Sequence, residues 1–284
     1  MTERVAALGR RLANGRRIGG WAVTAADLLP FGVVVVAAIV RDWRALGLAV
    51  VAAGFLSALV RDPRRAALWA APVPVLVLLV WGLVPAPPAA TSGADCGSLL
   101  SPPATWRLAE FALVGAVLVV LARLVRSSPH ELALRRSTRP VVALAIGGAV
   151  MIAVGSLALA PTAAGPFFGD FHLDIWRLDA LLPALVFAGS NGVMEELVYR
   201  GALRAWLARA TGPAGAVVLQ AVVFGFAHLG PDYVGPWIPV VSTMIASGLI
   251  AGLITVRTRS LVLPILWHIG FDLPLYYYWA CRIA

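Results

Sequence analysis

The sequence predicts an all-α fold, a polytopic membrane helix bundle of about nine transmembrane helices, on three observations. Of the 284 residues, 60% are hydrophobic and 13% charged, against roughly a quarter charged in soluble domains. Mean hydropathy is +0.86. Apolar runs long enough to cross a hydrocarbon layer, about 20 residues each, recur along the chain with most charges gathered in the connections between them.

The first 20 residues carry Arg4, Arg10, Arg11, Arg16 and Arg17 against one acid, Glu3. They read as a basic cytoplasmic arm rather than a cleaved signal peptide, because the apolar stretch from Leu28 to Val40 runs straight into Arg41 and further spans. The spans are expected near residues 22–40, 44–60, 66–85, 108–125, 140–159, 179–200, 214–229, 239–256 and 261–279. With the amino terminus inside, this arrangement leaves only Arg41, Arg44, Arg107, Arg177 and Arg282 outside. That is the asymmetry expected when cationic loops resist translocation. It places the amino terminus in the cytoplasm and the carboxyl terminus outside, in a membrane expected to be the plasma membrane.

All 23 basic side chains are Arg, and the formal net charge is +9. Cytoplasmic arginines facing anionic lipid headgroups account for that charge. Nucleic acid is not an expected partner, because the arginines are spread over many loops with no accompanying motif. Trp21, Trp43, Trp106, Trp237 and Trp279 near span ends fit an interfacial belt. Cys96 and Cys281 both fall on the expected outer side, where a disulfide is chemically permitted but nothing in the sequence requires one.

A charge inside a span costs about 2.5–3.5 kcal/mol at mid-helix on insertion scales, so its position is informative. Asp27 and Glu110 sit near helix ends, where they are expected to face water. The sixth span differs. In Asn191-Gly192-Val193-Met194-Glu195-Glu196-Leu197-Val198-Tyr199-Arg200 two adjacent acids interrupt an apolar helix. They point about 100° apart; Glu196 can meet Arg200 one turn on, which leaves Glu195 as the unpaired carboxylate. The seventh span ends Phe224-Gly225-Phe226-Ala227-His228, and the ninth contains His268-Ile269-Gly270-Phe271-Asp272, with His268 and Asp272 on one face. His130 and His172 lie in expected loops and read as solvated surface.

The ordered triple Glu195-Glu196-x-x-x-Arg200, Phe224-x-x-x-His228 and His268-x-x-x-Asp272 resembles the signature of the CAAX-protease and bacteriocin-processing family of intramembrane proteases, also called the Abi family. The resemblance covers roughly residues 180–275, about a third of the chain. It divides the sequence into 1–139, the basic arm with the amino-terminal helices, and 140–284, a catalytic transmembrane core. One departure is that the third motif often ends in Asn in eukaryotic members, where this chain has Asp272.

The residue types suit peptide hydrolysis, which needs a water, a base to activate it and donors for the oxyanion. Glu195 is expected to be the general base, with His228 sharing the orientation of the water. His268 and Asp272 form the opposite wall. Glu196, Arg200 and Phe224 are assigned to structural support. The resemblance also implies a metalloprotease, and Glu195, His228 and His268 are the ligands a divalent metal such as zinc would take; a metal-free glutamate and histidine mechanism is equally open at this point. No His-Glu-x-x-His helix is present. The substrate is expected to be a peptide or a membrane protein. Two other classes fit the same buried charges: a proton-coupled transporter, and a non-catalytic binding or immunity protein on the same scaffold. Against the transporter stand the clustering of these groups late in the chain and the lack of a repeat relating two halves.

Overall fold

The computed structural model describes residues 25–84, 96–163, 177–229 and 236–281. The basic arm, His172, Trp21 and much of the Pro-rich connection after residue 85 lie outside them. Among the described residues the chain is helical, and β-type pairing is confined to an isolated bridge between Leu134 and Ser260. The elements are α1 (Ala25–Ile39), α2 (Arg44–Arg61), α3 (Pro63–Ala70), α4 (Val73–Trp81), α5 (Pro102–Leu124), α6 (Arg139–Ala163), α7 (Leu181–Glu196), a π-helical segment (Leu197–Leu203), α8 (Arg204–Ala227), α9 (Trp237–Thr258) and α10 (Val262–Ala280).

Helical structure follows from the solvent that such apolar surfaces demand. Leu144, Ile146, Val150, Met151, Val154 and Leu159 of α6 all point away from the protein. Water would penalise a face of that size, whereas lipid accepts it provided that the backbone satisfies its own hydrogen bonds. The protein is an integral membrane protein.

The expected count of about nine spans is not confirmed. Among the described residues, four helical runs are long and apolar enough to cross a membrane: Arg41–Arg61, Arg139–Leu159, Leu178–Ala227 and Trp237–Thr258. Two differences from the expected spans have clear local causes. The run near 66–85 is broken by a turn at Ala71 and Pro72, with Pro74 opening the next helix, so α3 and α4 are short pieces. The expected cytoplasmic loop between the sixth and seventh spans is helical. The chain passes from α7 through the π-helical segment into α8, and the change of direction falls at Gly212, with φ 73° and ψ 171°, just before Pro213. Only glycine adopts that backbone geometry readily.

The start of α8 is tied to the connection between α5 and α6. Arg209 donates to both carboxylate oxygens of Glu131, at 2.6 and 2.8 Å, and to Ser127 Oγ at 3.0 Å. Arg204 donates to the Glu131 carbonyl, and the Trp206 indole N–H donates to Ser127 Oγ. His130 in this connection is exposed, as expected.

Two apolar clusters form the interior. One joins α1 to α4 with the π-helical segment and α8, around Leu68, Leu76, Leu203 and Trp206; the other joins α7 and α10 around Phe187, Leu273 and Tyr276. Because Phe187 belongs to the second cluster and Met194 to the first, α7 passes from one to the other, and Glu195 and Glu196 come at that crossing.

Asp27 and Glu110, expected to face water, are instead buried at 3% and 5% exposure. Each is compensated by a nearby cation: Arg65 Nε lies 3.2 Å from Asp27, and Arg107 donates to Glu110 one turn away. A buried carboxylate is tolerable when so paired. Cys96 and Cys281 form a disulfide, and Tyr276 joins it to the start of α5, donating to the Cys96 carbonyl and bonding with Ser101 Oγ.

Candidate active site

The motif residues reach one location from three helices. Glu195 and Glu196 occupy the last turn of α7, His228 caps the carboxyl end of α8, and His268 and Asp272 lie on successive turns of α10. Gly192 permits the close approach of α10 to α7. A Cβ there would sit 3.1 Å from Ile269 Cγ1 and 3.4 Å from His268 Cβ. The π-helical segment begins directly after Glu196; such segments shift the register of side chains around a helix and are frequent at functional sites.

Glu195 Oε2 is the point of convergence. It lies 3.8 Å from His228 Nε2 and 3.8 Å from His268 Nε2, and it accepts no hydrogen bond from the described residues. These separations are too long for direct hydrogen bonds, and a water about 2.8 Å from both atoms of either pair could bridge it. The side chains of Glu195, His228 and His268 keep 15%, 18% and 14% of their surface open, whereas Glu196 and Arg200 are closed off at 2%. The first group is thus partly open and the second closed, although Glu195 Oε2 itself is buried.

Each imidazole is oriented by its other nitrogen. His228 Nδ1 bonds the Phe224 carbonyl at 2.7 Å, so it carries the N–H and leaves Nε2 turned toward Glu195. His268 Nδ1 donates to Glu196 Oε1 at 2.9 Å, and its Nε2 lies 3.5 Å from Asp272 Oδ2. Both nitrogens of His268 thus face carboxylate oxygens, so both are placed to carry N–H donors. Asp272 is in turn held by Asn191 Nδ2 at 2.7 Å.

Glu196 and Arg200 approach to 3.1 Å across one helical turn. The Arg200 guanidinium stacks 4.0 Å above the Phe224 ring, which also meets Tyr199 edge-on at 4.9 Å and His228 at 4.4 Å. Phe224 is thus a shared wall between the buried ion pair and the open site. The sequence did not reveal that Glu196 spans both, pairing with Arg200 and holding His268. Asn191 was also missed as a site residue, though a polar amide one turn before Glu195 in an apolar run was the available signal.

Glu195 Oε2 is spaced more widely from both imidazole nitrogens than the ligands of a bound zinc. Ligand atoms of a tetrahedral zinc lie about 3.4 Å apart, given bonds of about 2.0–2.1 Å, and the 3.8 Å separations here exceed that. Among the described residues no group of three or more His, Cys, Asp or Glu side chains is arranged to hold a metal ion.

Residues 177–274 match the family model described as Type II CAAX prenyl endopeptidase Rce1-like. The matched stretch contains every residue of the three motifs, and the resemblance read from them is borne out. It supports a protease of this type. No curated protein and no solved structure matches the chain.

Proposed function

We propose that this protein, Rce1-like over residues 177–274, is an intramembrane endopeptidase of the CAAX-protease type in which Glu195 and His228 activate a water molecule. The observation that carries the reading is the placement of one carboxylate oxygen, Glu195 Oε2, 3.8 Å from an imidazole nitrogen on each of two other helices.

A water between these groups donates one hydrogen to Glu195 and the other to His228 Nε2, which the bond from Nδ1 to the Phe224 carbonyl keeps available as an acceptor. As the water oxygen attacks the scissile carbonyl carbon, its proton passes to Glu195. The carbonyl oxygen becomes an oxyanion and accepts a hydrogen bond from His268 Nε2, a ring held by Glu196 and flanked by Asp272. Collapse of the tetrahedral intermediate breaks the C–N bond, and Glu195 returns its proton to the leaving amine. No step is assigned to a metal, since among the described residues no group of three or more His, Cys, Asp or Glu side chains is arranged to hold one.

The site residues are also the route a proton would take through a transporter, so the decisive test is turnover. Purified protein is incubated with a panel of prenylated and unmodified peptides, beside the Glu195→Ala and His228→Ala variants. General base action contributes about 10²–10⁴ in rate; both variants are expected to lose that much, and dialysis against a chelator is expected to leave the parent active. Equal cleavage by parent and variants would refute the site. Solute uptake into liposomes that depends on Glu195, without peptide cleavage, would favour transport.

The amino terminus is assigned to the cytoplasm and the carboxyl terminus to the outside of the plasma membrane. Support comes from the arginine distribution and from the Cys96–Cys281 disulfide, which is chemically at home on an oxidising side.

A further inference from the structure

Arg44 lies far outside residues 177–274, yet it touches the backbone next to a motif residue. Its side chain is buried, and its guanidinium donates to three carbonyls: Nε to Ala37 at 3.3 Å, Nη1 to Leu79 at 3.3 Å and Nη2 to Leu229 at 3.4 Å. Each acceptor stands at the carboxyl end of a helix. Ala37 and Leu79 are in the last turns of α1 and α4, and Leu229 follows the end of α8. Terminal carbonyls have no partner within their own helix and form the negative pole of its dipole. A planar cation with five N–H groups in a fixed fork can serve three of them at once.

The third carbonyl belongs to the residue directly after His228. The turn that carries both is held by two local backbone bonds, from the His228 amide to the Gly225 carbonyl at 3.3 Å and from the Leu229 amide to the Phe226 carbonyl at 3.1 Å. We propose that Arg44 is a positioning residue for His228, fixing the end of α8 so that His228 Nε2 faces Glu195. The amino-terminal helices thereby set the geometry of the site. The catalytic consequence rests on the proteolytic reading above; the positioning itself does not.

The chain has four histidines, so selective ¹⁵N labelling of their rings gives a spectrum with few signals, assignable by single His→Gln replacements. In Arg44→Gln the His228 ring signals are expected to shift or broaden while those of His268 and His130 hold. Peptidase kcat is expected to fall by about 10-fold to 10²-fold, the scale of a misplaced catalytic group, with KM little changed. Arg44→Lys keeps the charge but offers a single head that cannot span three carbonyls, so it is expected to move the His228 signals too. It carries the test if Arg44→Gln does not fold. Unchanged His228 signals in a folded variant would overturn the proposal, as would equal movement of His228, His268 and His130, which would mark a general structural role. Should Glu195→Ala prove fully active, the proteolytic reading falls, while the His228 signals still decide the role of Arg44.

Discussion

At the residue scale, the site depends on carboxylates in different surroundings. Glu195 has a buried oxygen without a hydrogen bond on a side chain that is 15% open, the surroundings proposed above for the base. Glu196, one residue on, is sealed between Arg200 and His268. Breaking a buried ion pair leaves an uncompensated charge and costs about 3–5 kcal/mol, so Glu196→Gln is expected to lower the thermal unfolding midpoint in detergent as well as the turnover. Glu195→Gln is expected to lower turnover with the midpoint held. Asp272 is intermediate. Asparagine there can still accept from Asn191, whereas alanine removes the partner of both Asn191 and His268. Asp272→Asn is expected to cost about 10-fold or less in kcat and Asp272→Ala about 10²-fold or more, and the opposite order in peptide cleavage would exclude the positioning described for Asp272.

At the element scale, a few backbone features bring the helices into register. Gly192 lets α10 lie against α7 beside His268. Gly192→Ala forces its Cβ toward Ile269 and is expected to reduce kcat by displacing His268, with an accompanying loss of about 1–3 kcal/mol, the usual scale of overpacking. Gly212, with φ 73°, is the bend between the part of α8 anchored at Glu131 and the part that delivers His228. Gly212→Ala is expected to destabilise the protein by about 1–3 kcal/mol, the cost of a strained backbone at a non-glycine residue; calorimetry in detergent showing no change would mean that the bend relaxes freely.

The legibility of these elements from sequence follows the range of the interactions involved. The pairs Glu196–Arg200 and His268–Asp272 are one turn apart and could be placed on common faces from helical periodicity alone. The π-helical segment could not be read, because its alternative, an unbroken α-helix, satisfies the same hydropathy and the same propensities. The broken run at Pro72 and Pro74 was signalled by its prolines, yet its apolarity masked the break.

For the whole molecule, the amino-terminal helices and the Rce1-like stretch share an interior. The cluster built by α1 to α4 includes Tyr199, Trp206 and Phe224 of the π-helical segment and α8, and the disulfide fastens the end of α10 to the segment before α5. If the carboxyl terminus lies outside, a membrane-impermeant maleimide applied to intact cells labels a cysteine appended to the carboxyl terminus; labelling only in inverted vesicles would reverse the assigned topology.

The sequence by itself determined the membrane class, the helical character and the residues from which a site could be made, because hydropathy and one-turn spacing are sums over neighbours in the chain. Only the tertiary structure decided that Glu195 meets two imidazoles, that Glu196 and Asn191 hold the opposite wall, and that Arg44 reaches the end of α8. Those contacts depend on how far each helix is rotated and where it stops, and both are fixed by packing between segments distant in the chain.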